Sequence, residues 1–188
     1  MSNYSHVSFM FCMPRSRSQW MSYFMGFGCV AWHDPLKHCE HPLDLLPMID
    51  EWTAKNPGRR LFIADTLAGS FGKQIMPALP GALFFKVLRP IEEVRASITR
   101  AQGCCSVSTA LANHWRRMYE LHTELELRYT DLDNPTALLN LFNVVTEAPH
   151  KMSEARLDRA LSCHIDYPLH KQVADARRLE KLMRHLDL

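Results

Sequence analysis

Two arginines and two hydroxyl groups stand between two apolar segments near the start of the sequence. The segment "PRSRSQW", from Pro14 to Trp20, follows an apolar run of strand length and precedes a run with helical spacing. Backbone N–H groups at the start of a helix can bind an anion, which the helix dipole also favours. Further donors in this turn are the side chains of Arg15, Ser16, Arg17 and Ser18. The turn therefore predicts a site for phosphate or sulfate.

The same segment has a second interpretation. A nucleotide-binding loop of the G-x-x-x-x-G-K-[ST] type needs a Gly-Lys pair, which is absent here. A solvated basic turn with N-capping serines would contain the same residues. The pattern by itself leaves both alternatives open.

The segment "FFKVLRPIEEVRASI" repeats this architecture. An apolar strand ends at Arg89, and a helix begins after Pro90. Ser97 lies eight residues after Arg89, about two turns into that helix. Because Pro90 keeps the turn short, the helix can carry Ser97 back to the end of the strand. The alternative is an ordinary strand-end arginine and a serine that faces solvent.

Carboxylates and a histidine stand at the ends of two further strands. The run "CVAWH" ends with His33 and is followed by Asp34, and "RLFIAD" ends with Asp65. Ligands of parallel sheets gather at the carboxyl ends of the strands. A carboxylate or an imidazole at that edge can take a proton from a substrate. For Asp34, the alternative is that its side chain caps the turn. For Asp65, the alternative is a metal ligand, because it resembles the carboxylate that holds Mg²⁺ in nucleotide hydrolases.

Strand-like and helix-like segments alternate along the chain. Strands are predicted at "HVSFMFCM", "CVAWH", "RLFIAD" and "ALFFKVL", with a short final strand in "LELRYTDL". The helices between them include a long amphipathic one, "TALANHWRRMYELHTELE", and the last helix is "HKQVADARRLEKLMRHL". This order predicts an α/β fold, with a three-layer parallel sheet, helices on both faces and a helical C-terminal part. We expect one domain covering residues 1–188.

Composition and charge narrow the class of protein. The 188 residues carry a net charge of +2, which argues against a broad nucleic-acid-binding surface. No stretch approaches the roughly 18 apolar residues of a membrane span. The six cysteines match no disulfide framework, which indicates reduced thiols in a cytoplasmic protein. We expect a monomer or homodimer with no nucleic-acid or membrane partner.

Three segments together resemble the sulfotransferase family. "PRSRSQW" is similar to the family's 5′-phosphosulfate loop, P-[KR]-S-G-T-T-W. "VLRPIEEVRASI" is similar to its 3′-phosphate loop, in which a serine follows the arginine of an R-[DN]-P turn by eight residues. "LELRYTDLDNPTALLNLFNVV" is similar to the R-Y-E-D-L segment and the helix near the family's C-terminus. The resemblance implies a fold like that of the P-loop nucleoside triphosphate hydrolases.

The resemblance also implies an activity. A sulfuryl group would pass from 3′-phosphoadenosine 5′-phosphosulfate to a hydroxyl or amine of a small-molecule or carbohydrate-like acceptor, leaving adenosine 3′,5′-bisphosphate. Arg15 would stabilise charge on the bridging oxygen as its bond to sulfur breaks. "HDP" looks like the [KH]-E-P segment of some branches, which implies Asp34 as the base, with His33 as the alternative. No metal is implied, because arginines and backbone dipoles supply the positive charge. The residues implied to bind the cofactor are Pro14, Arg15, Ser16, Arg17, Ser18, Gln19, Trp20, Arg89 and Ser97.

The sequence departs from the family pattern at three points. Arg17 stands where the family has Gly, and a bulky residue at positive φ costs on the order of 1 kcal/mol. Gln19 replaces the usual second hydroxyl. The family's G-x-x-G-x-x-K segment is missing, and the candidates to replace its lysine are Lys171, Arg177 and Arg178.

These departures leave other functions open. One alternative is a phosphotransferase that uses a nucleoside triphosphate, and another is a non-catalytic protein that binds an anion or nucleotide on the same fold. A metal site is a further alternative, although the spacing of its ligands matches no standard zinc pattern. Its ligands would come from Cys29, His33, His38, Cys39 and His41.

Overall fold

The computed structural model describes residues 3–102, 108–148 and 151–163. Five strands lie within these ranges: β1 (Val7–Cys12), β2 (Val30–His33), β3 (Leu61–Asp65), β4 (Leu83–Leu88) and β5 (Leu125–Arg128). The α-helices within them are α1 (Ser18–Met25), α2 (Leu45–Lys55), α3 (Gly72–Ala78), α4 (Ile91–Gln102), α5 (Ser108–Tyr119), α6 (Pro135–Thr146) and α7 (Glu154–Ser162). Short 3-10 turns connect several of these elements.

β1 lies at the centre of a parallel sheet with the strand order β2-β3-β1-β4-β5. It pairs with β3 on one side and with β4 on the other. Every residue of β1 and β3 is buried, which explains why these strands are nearly continuous apolar runs, apart from Ser8 and the terminal Asp65. Because all five strands run in one direction, their carboxyl ends meet along one side, here called the carboxyl edge.

Two apolar clusters cover the two faces of the sheet. Successive strand residues alternate between them, because side chains of a strand point to opposite faces. One cluster joins Phe9, Phe11, Ile63 and Phe84 to side chains of α2, α3, α4 and α5, including Ile49, Ile75, Val94 and Met118. The other joins Met10, Phe62, Phe85 and Val87 to α1, α6 and α7, through Phe24, Phe142 and Leu157 among others. The predicted three-layer α/β fold is therefore confirmed.

The predicted long helix after residue 108 is too long. α5 ends at Tyr119, and the chain then turns towards β5. The buried ammonium group of Lys86 accounts for this end, because it donates to the carbonyl of Tyr119 at 3.0 Å and to that of Leu121 at 2.6 Å. A cation at the last carbonyls of a helix satisfies acceptors that have no partner within the helix.

Two other predictions concern membrane-crossing segments and the last helix of the sequence. No helix in the described ranges is long and apolar enough to cross a membrane. The predicted last helix, with the basic residues Lys171, Arg177 and Arg178, lies outside the described residues.

Candidate functional site

The loop between β1 and α1 lies at the carboxyl edge, beside the central strand. Arg15 and Arg17 both have left-handed backbones, with φ of 65° and 60°. The N–H of Ser16 donates to the carbonyl of Met13 at 3.2 Å and closes the turn. Position 17, where the family pattern has Gly, thus has a positive φ. A side chain larger than Gly stands there at some cost in backbone energy.

The hydroxyl of Ser16 is fully buried and has no hydrogen-bond partner among the described residues. Burying a hydroxyl without a partner is unfavourable, so such an atom is typical of a site that awaits a ligand. The first turn of α1 adds backbone donors, because Arg17 at its N-cap makes no side-chain capping hydrogen bond. The loop therefore combines an unsatisfied hydroxyl with the positive end of a helix dipole.

The strand-end unit of β4 and α4 contacts this loop directly. The Nε group of Arg15 donates to Oγ of Ser97 at 3.3 Å. The guanidinium of Arg89 donates to the backbone carbonyl of Arg15. The short turn at Pro90 thus brings Ser97 back to the carboxyl edge, as the sequence predicts. Two basic units that are 74 residues apart form one cluster.

Tyr129 contacts Arg89 of this cluster and Arg17 of the loop from the side of β5. The guanidinium of Arg89 lies 4.0 Å from the centre of the Tyr129 ring, and that of Arg17 lies 5.1 Å from it. Arg17 also pairs with Asp133, with Nη1 and Oδ1 2.6 Å apart. Arg89 pairs with Glu93 at 3.4 Å. Both guanidinium groups are therefore held in fixed orientations at the carboxyl edge.

His33 and Asp34 follow β2 at the same edge. Nε2 of His33 lies 2.9 Å from Oγ of Ser18 and 3.3 Å from Oδ2 of Asp34. A single ring nitrogen is thus shared by the loop and by the carboxylate. The other oxygen of Asp34 accepts hydrogen bonds from the N–H and the hydroxyl of Thr66, at 2.9 and 3.0 Å. The structure places the two candidate bases next to each other and next to the loop.

Asp65 has a different environment from Asp34. Its carboxylate is fully buried and accepts hydrogen bonds from the backbone N–H groups of Leu36, Leu67 and Ala68. Burial, and then the nearby charge of Asp34, raise the pKa of Asp65 to about 7, although the three N–H groups act in the opposite direction. Its oxygens bind the turns that follow β2 and β3, so the geometry assigns Asp65 a structural role rather than that of a metal ligand.

His114 of α5 is a buried group at this edge that sequence reasoning missed. Its Nδ1 lies 2.5 Å from Oγ of Ser70, and its Nε2 has no hydrogen-bond partner among the described residues. Burial lowers the pKa of His114 to about 4, against the opposite effect of the backbone of Cys12 and Thr66. No pattern in the sequence marks a histidine in the middle of an amphipathic helix. Thr66, by contrast, follows a strand and could have been found by the strand-end rule.

The remaining predicted site residues take different positions. The Trp20 side chain is buried, stacks on Phe24 and donates to the carbonyl of Ala160 at 2.8 Å, so it packs α1 against α7. Pro14 and Gln19 are half-buried in the loop and the first turn of α1. The described ranges contain no group of three or more His, Cys, Asp or Glu side chains that could hold a metal ion.

Two solved structures are similar to this chain over nearly its full length. The sulfotransferase domain from the Synechococcus PCC 7002 olefin synthase is 15% identical, with a TM-score of 0.48 over 97% of this chain and 94% of that one. The sulfotransferase domain from the curacin biosynthetic pathway is 13% identical, with a TM-score of 0.48 over 99% of each chain. No family model and no curated protein matches the sequence.

Proposed function

We propose that this protein transfers a sulfuryl group from 3′-phosphoadenosine 5′-phosphosulfate to a hydroxyl or amine of a small acceptor. The observation that carries the proposal is the contact between the two basic units, in which Arg15 binds Ser97 and Arg89 binds the carbonyl of Arg15. A donor with anionic groups at both its 5′ and 3′ positions needs two anion sites side by side. One strand-end loop alone would fit many phosphates equally well.

The residues of the loop fit the 5′ end of such a donor. The unpartnered hydroxyl of Ser16 and the first N–H groups of α1 would bind its anionic oxygens. Arg15 is exposed, so its guanidinium can turn from Ser97 towards a bound anion. There it would stabilise the charge that develops on the bridging oxygen during transfer. The bound donor would supply the reactive sulfuryl group.

Arg89 and Ser97 fit the 3′ end. The Ser97 hydroxyl can donate to a phosphate oxygen while accepting from Arg15. Arg89 is held by Tyr129 and by the Arg15 carbonyl, so little side-chain entropy remains to be lost when it binds an anion. Glu93 lies beside Arg89 and would compete with that anion, although its side chain is half exposed. The 3′-phosphate is the group that separates this donor from adenosine triphosphate.

Proton removal from the acceptor falls to Asp34 or His33. Both lie at the carboxyl edge, and His33 Nε2 is 2.9 Å from Ser18 at the start of α1. A base beside the sulfuryl-binding loop is what in-line attack by an acceptor hydroxyl requires. We expect a small-molecule or carbohydrate-like acceptor.

Calorimetry with two nucleotides tests the proposal. Adenosine 3′,5′-bisphosphate should bind about tenfold or more tightly than adenosine 5′-monophosphate, because only the bisphosphate reaches Arg89 and Ser97. Ser97→Ala should reduce that preference, and Arg89→Ala should abolish it. Equal affinity of the wild type for both nucleotides would refute the assignment of the 3′-phosphate.

A stability measurement on each variant separates a loss of binding from a loss of folding. Arg89 is nearly buried and its backbone carbonyl accepts from Trp115, so each variant needs a thermal unfolding curve beside its binding curve. Glu93→Gln keeps the fold and removes the competing carboxylate, and it should tighten bisphosphate binding. Preferential binding of adenosine triphosphate with Mg²⁺ would instead support a phosphotransferase.

A further inference from the structure

Thr66 contacts Asp34 through two hydrogen bonds. Its backbone N–H and its hydroxyl both donate to Oδ1 of Asp34, at 2.9 and 3.0 Å. An ionised carboxylate oxygen with two such donors has little capacity left to accept a proton. Oδ2 receives neither bond and faces His33 Nε2 at 3.3 Å. The two oxygens of one carboxylate are therefore unequal.

The backbone at Asp34 is also held in a conformation that few residues adopt. Its φ and ψ of 49° and 51° are left-handed, and Pro35 follows, which makes helical conformations at Asp34 still less favourable. The N–H of Asp34 donates to the carbonyl of Ala64 at 2.8 Å and thereby continues the pairing of β2 with β3. Such conformations persist where surrounding contacts impose them, and they are frequent at functional sites. The Thr66 hydrogen bonds are among those contacts.

The other ionisable groups around Asp34 are less suited to accept a proton from an acceptor. Asp65 is fully buried, away from any acceptor, and backbone N–H groups donate to both of its oxygens. The thiol of Cys12 is fully buried, and burial raises its pKa well above the usual range. Nε2 of His33 is shared with the hydroxyl of Ser18. Among these carboxylate oxygens, Oδ2 of Asp34 is the one to which no backbone N–H of the described residues donates.

We propose that Thr66 is a positioning residue that binds Oδ1 of Asp34 and so presents Oδ2 to the acceptor. This inference rests on the proposed sulfuryl transfer. In that step the acceptor oxygen bonds to sulfur while its proton passes to Oδ2 of Asp34. The electron pair of the broken sulfur–oxygen bond stays with the departing adenosine 3′,5′-bisphosphate. Thr66 neither gains nor loses a proton.

Three threonine variants test this role. Thr66→Val removes the hydroxyl at nearly constant volume and keeps the backbone N–H, whereas Thr66→Ser keeps both donors. Thr146→Val is the control, because it removes a threonine hydroxyl that is also hydrogen-bonded, here to the carbonyl of Phe142 at 2.7 Å, towards the opposite end of the sheet. Thermal unfolding of all three separates loss of stability from loss of positioning.

The first readout does not depend on turnover. In protein labelled with ¹³C-carboxyl aspartate, the Asp34 signal is assigned by its loss in Asp34→Asn. Its titration midpoint should move to higher pH in Thr66→Val, because the ionised carboxylate loses a donor. Thr66→Ser should restore the midpoint, and Thr146→Val should leave it unchanged. An unchanged midpoint in Thr66→Val would overturn the inference.

The second readout is release of adenosine 3′,5′-bisphosphate from the phosphosulfate donor with a panel of simple phenols, alcohols and amines. Thr66→Val should lower turnover about tenfold and shift the acidic limb of the pH–rate profile to higher pH, with unchanged affinity for the bisphosphate. A uniform loss at all pH values would assign Thr66 a merely structural role and overturn the inference. Failure of the wild type to bind the bisphosphate would instead refute the proposed function, while the carboxyl titration still decides the role of Thr66.

Discussion

At the scale of single residues, Arg15 has the most direct role in the proposed chemistry. It is exposed, it has a left-handed backbone, and its side chain makes one hydrogen bond, at 3.3 Å to Ser97, among the contacts described. Weak anchoring of this kind suits a group that must turn towards a ligand. It also means that removing the side chain should leave the fold intact.

Arg15→Ala should therefore abolish catalysis without unfolding the protein. We expect turnover to fall at least about a hundredfold, because the charge that develops on the leaving oxygen loses its counter-charge. The free energy of unfolding of Arg15→Ala should stay within about 0.5 kcal/mol of that of the wild type. Arg59→Ala is the matched control, since Arg59 is an exposed arginine before β3, at the opposite edge of the sheet. Equal turnover in the two variants would contradict the role of Arg15.

Two near-isosteric substitutions can show whether Asp34 or His33 is the base. Asp34→Asn should abolish turnover while bisphosphate affinity stays within about twofold of the wild type, because the amide cannot accept a proton. His33→Gln should retain measurable turnover, since Oδ2 of Asp34 remains. Turnover assays and calorimetry on the same samples decide between them. The reverse order of effects would make His33 the base.

At the scale of the elements, the turn between β1 and α1 carries backbone strain at Arg17. The ion pair of Arg17 with Asp133 and its contact with Tyr129 act against the cost of this left-handed conformation. An exposed ion pair contributes at most about 1 kcal/mol, so it offsets the strain only in part.

Two substitutions at position 17 measure that strain. Arg17→Ala and Arg17→Gly both lose the ion pair, but only glycine relieves the backbone. Arg17→Gly should therefore be more stable than Arg17→Ala by about 1 kcal/mol in denaturant unfolding. The control is Ala54→Gly in the exposed part of α2, where glycine should destabilise by about the same amount. A less stable glycine at position 17 would show that the loop is unstrained.

Much of this element structure could be predicted from the sequence, and the exceptions have physical causes. Buried parallel strands give nearly unbroken apolar runs, so β1, β3 and β4 were predictable even though β4 contains the buried Lys86, and Pro90 explains why Ser97 returns to the carboxyl edge. The end of α5 was not predictable, because it depends on Lys86, which lies in β4. The pairing of Thr66 with Asp34 joins residues 32 apart, and only the strand order determines it.

At the scale of the whole molecule, two buried groups at the carboxyl edge give stability opposite dependences on pH. Burial raises the pKa of Asp65 to about 7, so between pH 4 and 7 the folded state binds more protons there than the unfolded state. The contribution of Asp65 to the free energy of unfolding is therefore lost as pH rises from 4 to 7. Burial lowers the pKa of His114 to about 4, so stability from His114 is lost as pH falls from 6.5 to 4.

Replacing His114 should reveal the effect of Asp65 on the pH dependence of stability. Between pH 4.5 and 6.5 the contributions of Asp65 and His114 oppose each other in the wild type, so in His114→Gln the free energy of unfolding should fall more steeply, or rise less, as pH increases. Each group contributes at most about 1.4 kcal/mol per pH unit. Urea unfolding at three pH values measures the slopes. Parallel curves for variant and wild type would mean that His114 is not held neutral in the folded protein.

For the proposed donor, the bond from Arg89 to the carbonyl of Arg15 would make the two ends of the site cooperative. A ligand that draws Arg89 towards its 3′ end alters the main chain that grips its 5′ end, so binding at one end changes affinity at the other. Such coupling is reciprocal, and the factor is the same in both directions. Fragments that fill the ends separately will not have binding free energies that add up to that of the whole ligand. We therefore expect that a mutation or an inhibitor that changes specificity at one end would also change it at the other.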